Sequence, residues 1–232
     1  MSDVKARPGQ VRRDRAKATR NKIVDGAYRL FCQHGWAQTT MEAIAGEAGV
    51  AVQTVYYVFR TKAALLREVI ETAAAGQPDP PAVAQRSWMQ QALAAPDGHR
   101  ALALVVEHGV DIYARVAPLG PTIQAATSAD PDIDTYWRSV AHARRAGMGQ
   151  LIASLADHGQ LRVGLDPQRA TDILYVINSH EPFLGLTRDA GWAVAEYKAW
   201  LYETLSHQLL RATKRRTSRT EGLSYHDLLR HS

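Results

Sequence analysis

Apolar residues recur at the spacing of an α-helix along nearly the whole chain. A first helical pattern begins at Ala16, repeats at intervals of i, i+4, i+7 and i+8, and is closed by Gly35. A second helix is predicted to start at Thr39, because Glu42 stands three residues later and completes a capping-box sequence. The head of the chain is therefore predicted to be helical.

A tight turn and two more short helices complete this head. Gly49 interrupts the apolar pattern, a third helix is predicted over 52–59, and Thr61 is predicted to cap a fourth. The sequence GQPDPP at 76–81 is rich in turn-forming residues and is predicted to be a linker.

The rest of the chain has a helical pattern too, and the short segment QLRV at 160–163 is the one candidate for a strand. Asp166 is predicted to cap a helix whose first residue is Pro167, and Pro182 is predicted to kink that helix. The predicted helices of this body cover 83–95, 98–116, 120–128, 131–157, 167–187 and 192–212.

These patterns predict an all-α protein, and its 232 residues, 46% of them hydrophobic, allow one large core or two small ones. We expect a flexible basic arm at 1–15 and a three-helix helix-turn-helix domain at 16–75. A larger helical domain follows at 76–212, and a basic, disordered tail at 213–232.

Charge is distributed unevenly over these regions. Residues 1–70 carry 12 Lys and Arg against 6 Asp and Glu, residues 71–210 carry 10 against 15, and residues 211–232 carry 6 against 2. A basic head and a basic tail on an acidic body suggest that one end of the molecule binds a polyanion. For the tail alone, a solvated charge run explains the sequence equally well.

Several function classes are disfavoured. The single cysteine, Cys32, cannot form an internal disulfide, and no apolar run is long enough for a membrane span or a signal peptide. We therefore expect a cytoplasmic protein without a membrane partner. The nine histidines follow no metal-site spacing and no Gly-rich phosphate loop is present, so we expect no metal, no cofactor and no catalytic residue. An enzyme with its site hidden in the helical body is the rival hypothesis.

The two short helices around Gly49 have the pattern of a helix-turn-helix, whose second helix enters the major groove of DNA. Val55, Tyr56 and Phe59 share one face of that helix. We expect them to pack in the head's core, with the Tyr56 hydroxyl at the surface.

The opposite face of the same helix carries Val52, Gln53 and Tyr57, and Arg60 and Lys62 follow closely. Gln pairs bidentately with adenine, Val contacts the methyl of thymine, and Tyr and Lys reach phosphates. This face is therefore predicted to contact DNA.

Residues 23–70, IVDGAYRLFCQHGWAQTTMEAIAGEAGVAVQTVYYVFRTKAALLREVI, resemble the DNA-binding domain of the tetracycline-repressor (TetR) family of bacterial regulators. The family's pattern is matched without a gap at more than a dozen positions. In the body, LDPQRATDILYVI at 165–177 and GWAVAEYKAWL at 191–201 resemble further patterns of that family.

The resemblance implies a homodimer that binds a palindromic operator in double-stranded DNA. Thr39 and Thr40 would hold a phosphate at the start of the second helix, Lys62 would bind one from the flank, and the basic segment 5–22 would add phosphate or minor-groove contacts. The residues implied to contact DNA are Thr39, Thr40, Val52, Gln53, Thr54, Tyr56, Tyr57 and Lys62.

The resemblance also implies a small-molecule effector that binds within the body. Arg144 interrupts an apolar stripe there and needs a partner, which is either the carboxylate of Asp111 or Glu107 or an anion on the ligand. For His108 and His180 a core or interface role is the more common explanation, and core packing explains the aromatic candidates equally well. The candidate ligand-binding residues are Trp88, His108, Tyr113, Trp137, Arg144 and His180.

The last two long helices, 167–187 and 192–212, are the dimer interface that the resemblance implies. Their apolar stripes would equally fit a core within one chain. Those stripes consist of Ala170, Ile173, Leu174, Ile177, Leu184, Trp200, Leu201, Leu205, Leu209 and Leu210. We therefore expect a dimeric, effector-responsive repressor. The alternatives are a transcriptional activator and a sequence-tolerant DNA-binding protein without an effector.

Overall fold

The computed structural model describes residues 8–77, 83–211 and 225. Within these ranges the regular elements are helices, so the predicted all-α fold, with a helix-turn-helix followed by a larger helical body, is confirmed. The helices are α1 (Pro8–Gln38), α2 (Met41–Ala48), α3 (Val52–Phe59), α4 (Lys62–Ala75), α5 (Ser87–Ala94), α6 (Gly98–Val116), α7 (Gly120–Ala129), α8 (Pro131–Asp157), α9 (Pro167–Ile177), α10 (His180–Leu184) and α11 (Val194–Leu209).

The chain divides into two compact units. The first comprises the described residues of Met1–Pro80 and Pro118–Trp137, and the second those of Pro81–Ala117 and Arg138–Ser232. From the sequence we predict a single domain over 76–212, whereas α7 and the start of α8 group with the helices of the head in the first unit.

α7 groups with the first unit because it contributes to the core of that unit. Its Ile123 is buried like Ile23 of α1 and Leu65 of α4. The buried hydroxyl of Thr122 also donates a hydrogen bond to the main-chain carbonyl of Phe31, at 2.6 Å. Hydrophobic packing and this hydrogen bond together hold α7 against α1.

The basic segment predicted as a flexible arm is helical from Pro8 onward, so that prediction is wrong for 8–15; residues 1–7 lie outside the described residues. Arg, Lys, Ala and Gln are strong helix formers, and proline is tolerated at the first helical position. Gly35 breaks the helical geometry near the end of α1 with φ 71° and ψ −175°, a conformation essentially restricted to glycine.

The helix caps follow the sequence with one exception. The side chains of Thr61 and Asp166 accept hydrogen bonds from the amides of the first turns of α4 and α9, as predicted. The cap of α2 is Thr40, whose hydroxyl accepts from the Ala43 amide, and the prediction of Thr39 as the start of that helix is wrong by one residue. This shift decides which threonine faces solvent.

The predicted helix 167–187 is broken at Asn178, which ends α9 with φ −87° and ψ 64°. The kink expected at Pro182 is absent, because Pro182 lies in the first turn of α10, where its missing N–H has no intrahelical partner to lose. The segment QLRV forms no strand. Leu161 makes a single antiparallel bridge with Leu210.

The second unit has an apolar core built mainly by α6, α8, α9 and α11. None of the described helices combines the length and the hydrophobicity that a membrane span requires. The large side chains buried in this core include Leu102, Leu151, Ile152, Leu155, Leu174, Tyr197, Leu201 and Leu205.

Candidate nucleic-acid interface and ligand site

α2 and α3 form the predicted helix-turn-helix. Gly49 ends α2 in the left-handed conformation, with φ 66°, which glycine adopts without steric cost. Val55 and Phe59 on the inner face of α3 are buried, as is Ile44 of α2. These contacts hold α3 in place against the remainder of the first unit.

The outer face of α3 is open to solvent. Gln53 is exposed, and the Tyr57 side chain is 88% exposed; Val52 and Thr54 beside them are partly exposed. A side chain that reads a base edge must protrude from a fixed helix, and Gln53 and Tyr57 meet both conditions. Their contacts with DNA stay predictions.

Tyr56 lies outside the core. Its side chain is 45% exposed, so the prediction that it packs in the core is wrong. Its hydroxyl donates to Oε1 of Glu42 in the first turn of α2, at 3.3 Å. Tyr56 stands about 100° around the helix from Val55, and this rotation carries its ring past the buried face to the rim. A contact with the DNA backbone therefore remains open to it.

The two threonines before α2 have different environments. Thr39 is 1% exposed, and its hydroxyl donates to the carbonyls of Gly35, at 2.8 Å, and Leu30, at 3.2 Å. The phosphate contact expected of the Thr39 hydroxyl is therefore not supported. Thr40 is exposed at the N-terminus of α2, where free amides favour an anion.

Lys62 is held by the end of α1. Its Nζ donates to the carbonyls of Trp36, at 2.7 Å, and Thr39, at 3.0 Å, and it lies 4.1 Å from the centre of the Trp36 ring. Burial lowers the pKa of Lys62 below the ordinary lysine value. The ammonium thus has a structural task in the first unit, beside the phosphate contact predicted for it.

Arg20, a basic residue of the predicted DNA-contacting segment 5–22, makes structural contacts within the first unit. Arg20 forms a bidentate ion pair with Glu68 of α4, with both contacts at 2.8 Å, and its guanidinium covers the Phe59 ring at 4.7 Å. Arg12, Arg13 and Arg15 on α1 are exposed. They keep the first unit's surface basic.

Arg144 in the second unit is bound by neutral groups. Its Nη1 donates to the main-chain carbonyl of Asn178, at 3.1 Å, and lies 3.5 Å from the Tyr113 hydroxyl. The guanidinium also covers the Tyr175 ring, 4.1 Å from its centre. Among the described residues no carboxylate forms an ion pair with Arg144, so Asp111 or Glu107 as its partner is wrong.

Glu107 and Asp111 instead pair with Lys198 of α11, at 2.7 and 2.8 Å. Tyr225 donates a further hydrogen bond to Glu107. Burial opposes the charge on Glu107, but these hydrogen bonds lower its pKa below the ordinary value. Tyr225 is buried, so the predicted disordered tail is wrong at this residue; the remainder of 213–232 lies outside the described residues.

The other candidate ligand residues are not all brought together. The rings of His108 and Trp88 stack with centres 5.0 Å apart, and burial lowers the pKa of His108. His180 Nδ1 lies 3.4 Å from Glu181 in the first turn of α10. Trp137 belongs to the first unit and is partly buried there.

Three residues of this region were not singled out from the sequence: Tyr175 and Asn178, which contact Arg144, and Tyr197, whose ring contacts Phe183. Asn178 and Tyr197 each have a buried polar atom without a hydrogen-bond partner among the described residues. The only signal in the sequence was a polar residue within an apolar helix pattern, which is too common to identify a site. No group of three or more His, Cys, Asp or Glu side chains in the described part of the chain could hold a metal ion.

The apolar stripes proposed for dimerisation are used within the chain. Ala170, Leu174, Leu201, Leu205 and Leu209 are buried in the core of the second unit. The alternative of an intramolecular core is therefore correct for these residues, and any interface on α9 and α11 must use their other faces.

A known protein family matches the helix-turn-helix region of the first unit. Residues 23–69 match the family model of "Bacterial regulatory proteins, tetR family". No curated protein matches the sequence.

Solved structures match over most of the chain. The SmeT–triclosan complex has a TM-score of 0.66 at 18% identity, over 88% of this chain and 99% of that chain. A second structure of SmeT, the repressor of the Stenotrophomonas maltophilia multidrug efflux pump SmeDEF, has a TM-score of 0.60 at 18% identity, over 84% and 92%. NalD, the secondary repressor of the Pseudomonas aeruginosa MexAB-OprM pump, has 0.58 at 18% identity, over 84% and 97%. At 18% identity, the similarity to these structures establishes a shared fold and nothing further.

Proposed function

We propose that this chain, which belongs to the TetR family of bacterial regulatory proteins, is a repressor that binds a palindromic operator as a homodimer and leaves it when a small-molecule effector binds. The observation that carries the proposal is the outer face of α3. Gln53 and Tyr57 protrude into solvent from a helix that Val55 and Phe59 anchor. This combination suits base reading in the major groove.

The proposed dimer follows from the small area of one recognition helix, which alone is insufficient for tight, specific binding. Because the apolar stripes of α9 and α11 are buried within the chain, we assign the interface to the outward faces of the same helices. Val176 on α9 is 63% exposed and Val194 at the start of α11 is 40% exposed. Both are large apolar residues that a partner chain would cover.

The proposed effector is a small organic molecule bound in the second unit. SmeT, whose fold this chain shares, has been solved with triclosan, and SmeT and NalD are described as repressors of multidrug efflux pumps. An effector that binds the released state better than the DNA-bound state would shift the equilibrium toward release. Such a regulator acts on the bacterial chromosome, so we also propose a cytoplasmic location for the protein.

Selection of bound fragments from a random pool of double-stranded DNA, with the full-length chain at physiological salt, tests this function. We expect an inverted repeat that binds at least about 10³-fold more tightly than random DNA. Enrichment of an asymmetric single site would contradict the dimer. Uniform binding of all sequences would leave a sequence-tolerant DNA binder as the better explanation.

A further inference from the structure

The break between α9 and α10 is surrounded by polar and aromatic side chains from three other helices of the second unit. The Asn178 carbonyl, at the end of α9, accepts hydrogen bonds from the Tyr113 hydroxyl of α6 and from Arg144 of α8. Arg144 covers the ring of Tyr175, and the Tyr197 ring of α11 contacts Phe183, which in turn contacts Tyr113. We refer to Tyr113, Arg144, Tyr175, Asn178 and Tyr197 as the Asn178 cluster.

Two side-chain atoms of the Asn178 cluster are buried without a partner. The Asn178 side chain belongs to a residue that is 2% exposed, and its Oδ1 accepts no hydrogen bond from the described residues. Tyr197 is fully buried, and its hydroxyl likewise has no partner there. Since buried polar groups in native proteins are nearly always hydrogen-bonded, two such atoms in one cluster point to a bound molecule that supplies the missing groups.

Aromatic rings surround these polar atoms. The Phe183 ring lies 6.4 Å from Tyr113 and 5.4 Å from Tyr197, the second contact being edge-on. Gly109 of α6 faces the Asn178 amide, and a Cβ there would lie 3.5 Å from Oδ1, in ordinary van der Waals contact. The aromatic rings favour a flat, apolar molecular body.

The charge of Arg144 is not neutralised by an ion pair within the described residues. The neighbouring acids are committed elsewhere: Glu107 and Asp111 to Lys198, and Asp172 to Arg145. The largely exposed carboxylate of Glu181 lies beside His180 and close enough to Arg144 to interact with its charge, but it forms no ion pair with Arg144. A half-buried guanidinium with unused N–H donors therefore offers a site for an anion.

We propose that the Asn178 cluster binds a small aromatic monoanion that also carries a hydroxyl group. Its carboxylate or equivalent anion pairs with Arg144, and its hydroxyl donates to Asn178 Oδ1 and accepts from the Tyr197 hydroxyl. This inference rests on the proposed function in one respect: the ligand's role as the effector requires that the protein is a regulator. The ligand class follows from the cluster itself.

Probe binding to the full-length chain tests the ligand class. The probes are the three monohydroxybenzoates, each compared with its methoxybenzoate, which lacks the donor, and its hydroxybenzamide, which lacks the charge. We expect at least one hydroxybenzoate to bind, and each altered counterpart to bind at least about tenfold more weakly. In Arg144→Gln the preference for the acid over the amide should disappear.

Tyr197→Phe gives a second, independent test. Removing a buried hydroxyl that has no partner should leave the thermal midpoint unchanged or raise it, while the affinity for the hydroxybenzoate falls. Tyr202→Phe is the matched control, because Tyr202 is buried on the same helix but its hydroxyl is bonded to His99 Nδ1 at 2.9 Å. The control should lower the midpoint and leave the probe's affinity unchanged.

Three results would overturn the inference. The first is that no hydroxybenzoate binds below about 1 mM, roughly the weakest specific affinity worth assigning, and the second is that the neutral amides bind as well as the acids. The third is that Tyr197→Phe lowers the midpoint, which would indicate a structural partner such as water. Failure here is separable from failure of the proposed function. If an inverted repeat is selected from random DNA and no probe binds, only the ligand class is wrong. If a probe binds and no DNA sequence is selected, the regulator proposal is wrong.

Discussion

Replacing Lys62 by Met separates two tasks that the sequence and the structure give to this residue. Met keeps an unbranched apolar stem and removes the ammonium. In the first unit that ammonium donates to the carbonyls of Trp36, in the last turn of α1, and of Thr39, just beyond it, where intrahelical N–H partners are absent. It therefore joins the first residue of α4 to the segment that leads into α2.

The size of the expected effect follows from these contacts. Hydrogen bonds from a charged donor contribute about 1.5–3 kcal/mol each, and a partly exposed cation–π contact adds about 0.5–1 kcal/mol. Because Lys62 is only partly buried, water can replace part of what is lost. We therefore expect Lys62→Met to lower the free energy of unfolding by about 2–3 kcal/mol, below the roughly 3.5–7 kcal/mol to which the full contacts would sum.

Urea unfolding of the full-length variant measures this loss, and Lys22→Met on the exposed side of α1 is the matched control. A surface substitution of that kind should change stability by less than about 0.5 kcal/mol. The selected operator then tests the phosphate contact, because loss of one such contact lowers the slope of log affinity against log salt by about one.

A change below about 0.5 kcal/mol for Lys62→Met would refute the structural task, since an ammonium that bonds two carbonyls cannot be removed so cheaply. Lower stability with an unchanged salt slope would assign Lys62 to the fold alone. A reduced slope as well would show that the third N–H of the ammonium reaches a phosphate.

The remaining predictions concern the DNA-reading face, the threonine before α2 and the tail contact. Gln53→Ala should cost roughly 1–3 kcal/mol at the best operator and relax the base preference there; equal losses on every sequence would contradict base reading. Thr39→Val should lower the free energy of unfolding by about 1–2 kcal/mol while the folded protein keeps its operator affinity, and Thr39→Ser should restore the stability; a weaker operator affinity without loss of stability would instead support a phosphate contact. Tyr225→Phe should cost about 1.5–3 kcal/mol near neutral pH because the acceptor is a carboxylate. The folded-state pKa of Glu107 is lowered, so its contribution is present above the ordinary Glu pKa and is lost as pH falls through the lowered value. Urea titrations at neutral and acid pH should therefore show a smaller Tyr225→Phe effect in acid, and an equal effect at both would contradict the carboxylate acceptor.

The helices that the sequence predicts best are those with a start signal and a stop signal in their own residues. The observed bounds of α6 and α8, Gly98–Val116 and Pro131–Asp157, coincide with the predicted ones, because Asp97 caps the first and proline opens the second. The break after Ile177 has no such local signal. It is stabilised by Tyr113 and Arg144, which bond the Asn178 carbonyl from other helices.

The same distinction, between signals within one stretch of sequence and contacts between distant helices, applies to the DNA-reading face of α3 and to the Asn178 cluster. α2 and α3 are adjacent in sequence, so the rotation of α3 follows from its own apolar pattern, and only Tyr56 at the rim was misplaced. In the body, the partners are 34 residues apart for Arg144 and Asn178 and 91 apart for Lys198 and Glu107.

Helical spacing explains why Arg144 was given the wrong partners. Glu107 and Asp111 are four residues apart and share a face of α6, whereas Tyr113, six residues after Glu107, is rotated by about 240° from it. The acidic face meets Lys198 of α11, and a different face carries Tyr113 to Arg144. The sequence shows which residues share a face, but the helix that each face meets is decided by the packing of the whole body. A guanidinium expected to pair with a protein carboxylate is therefore left beside neutral groups, and the second alternative, an anion on the ligand, is the one that the local chemistry favours.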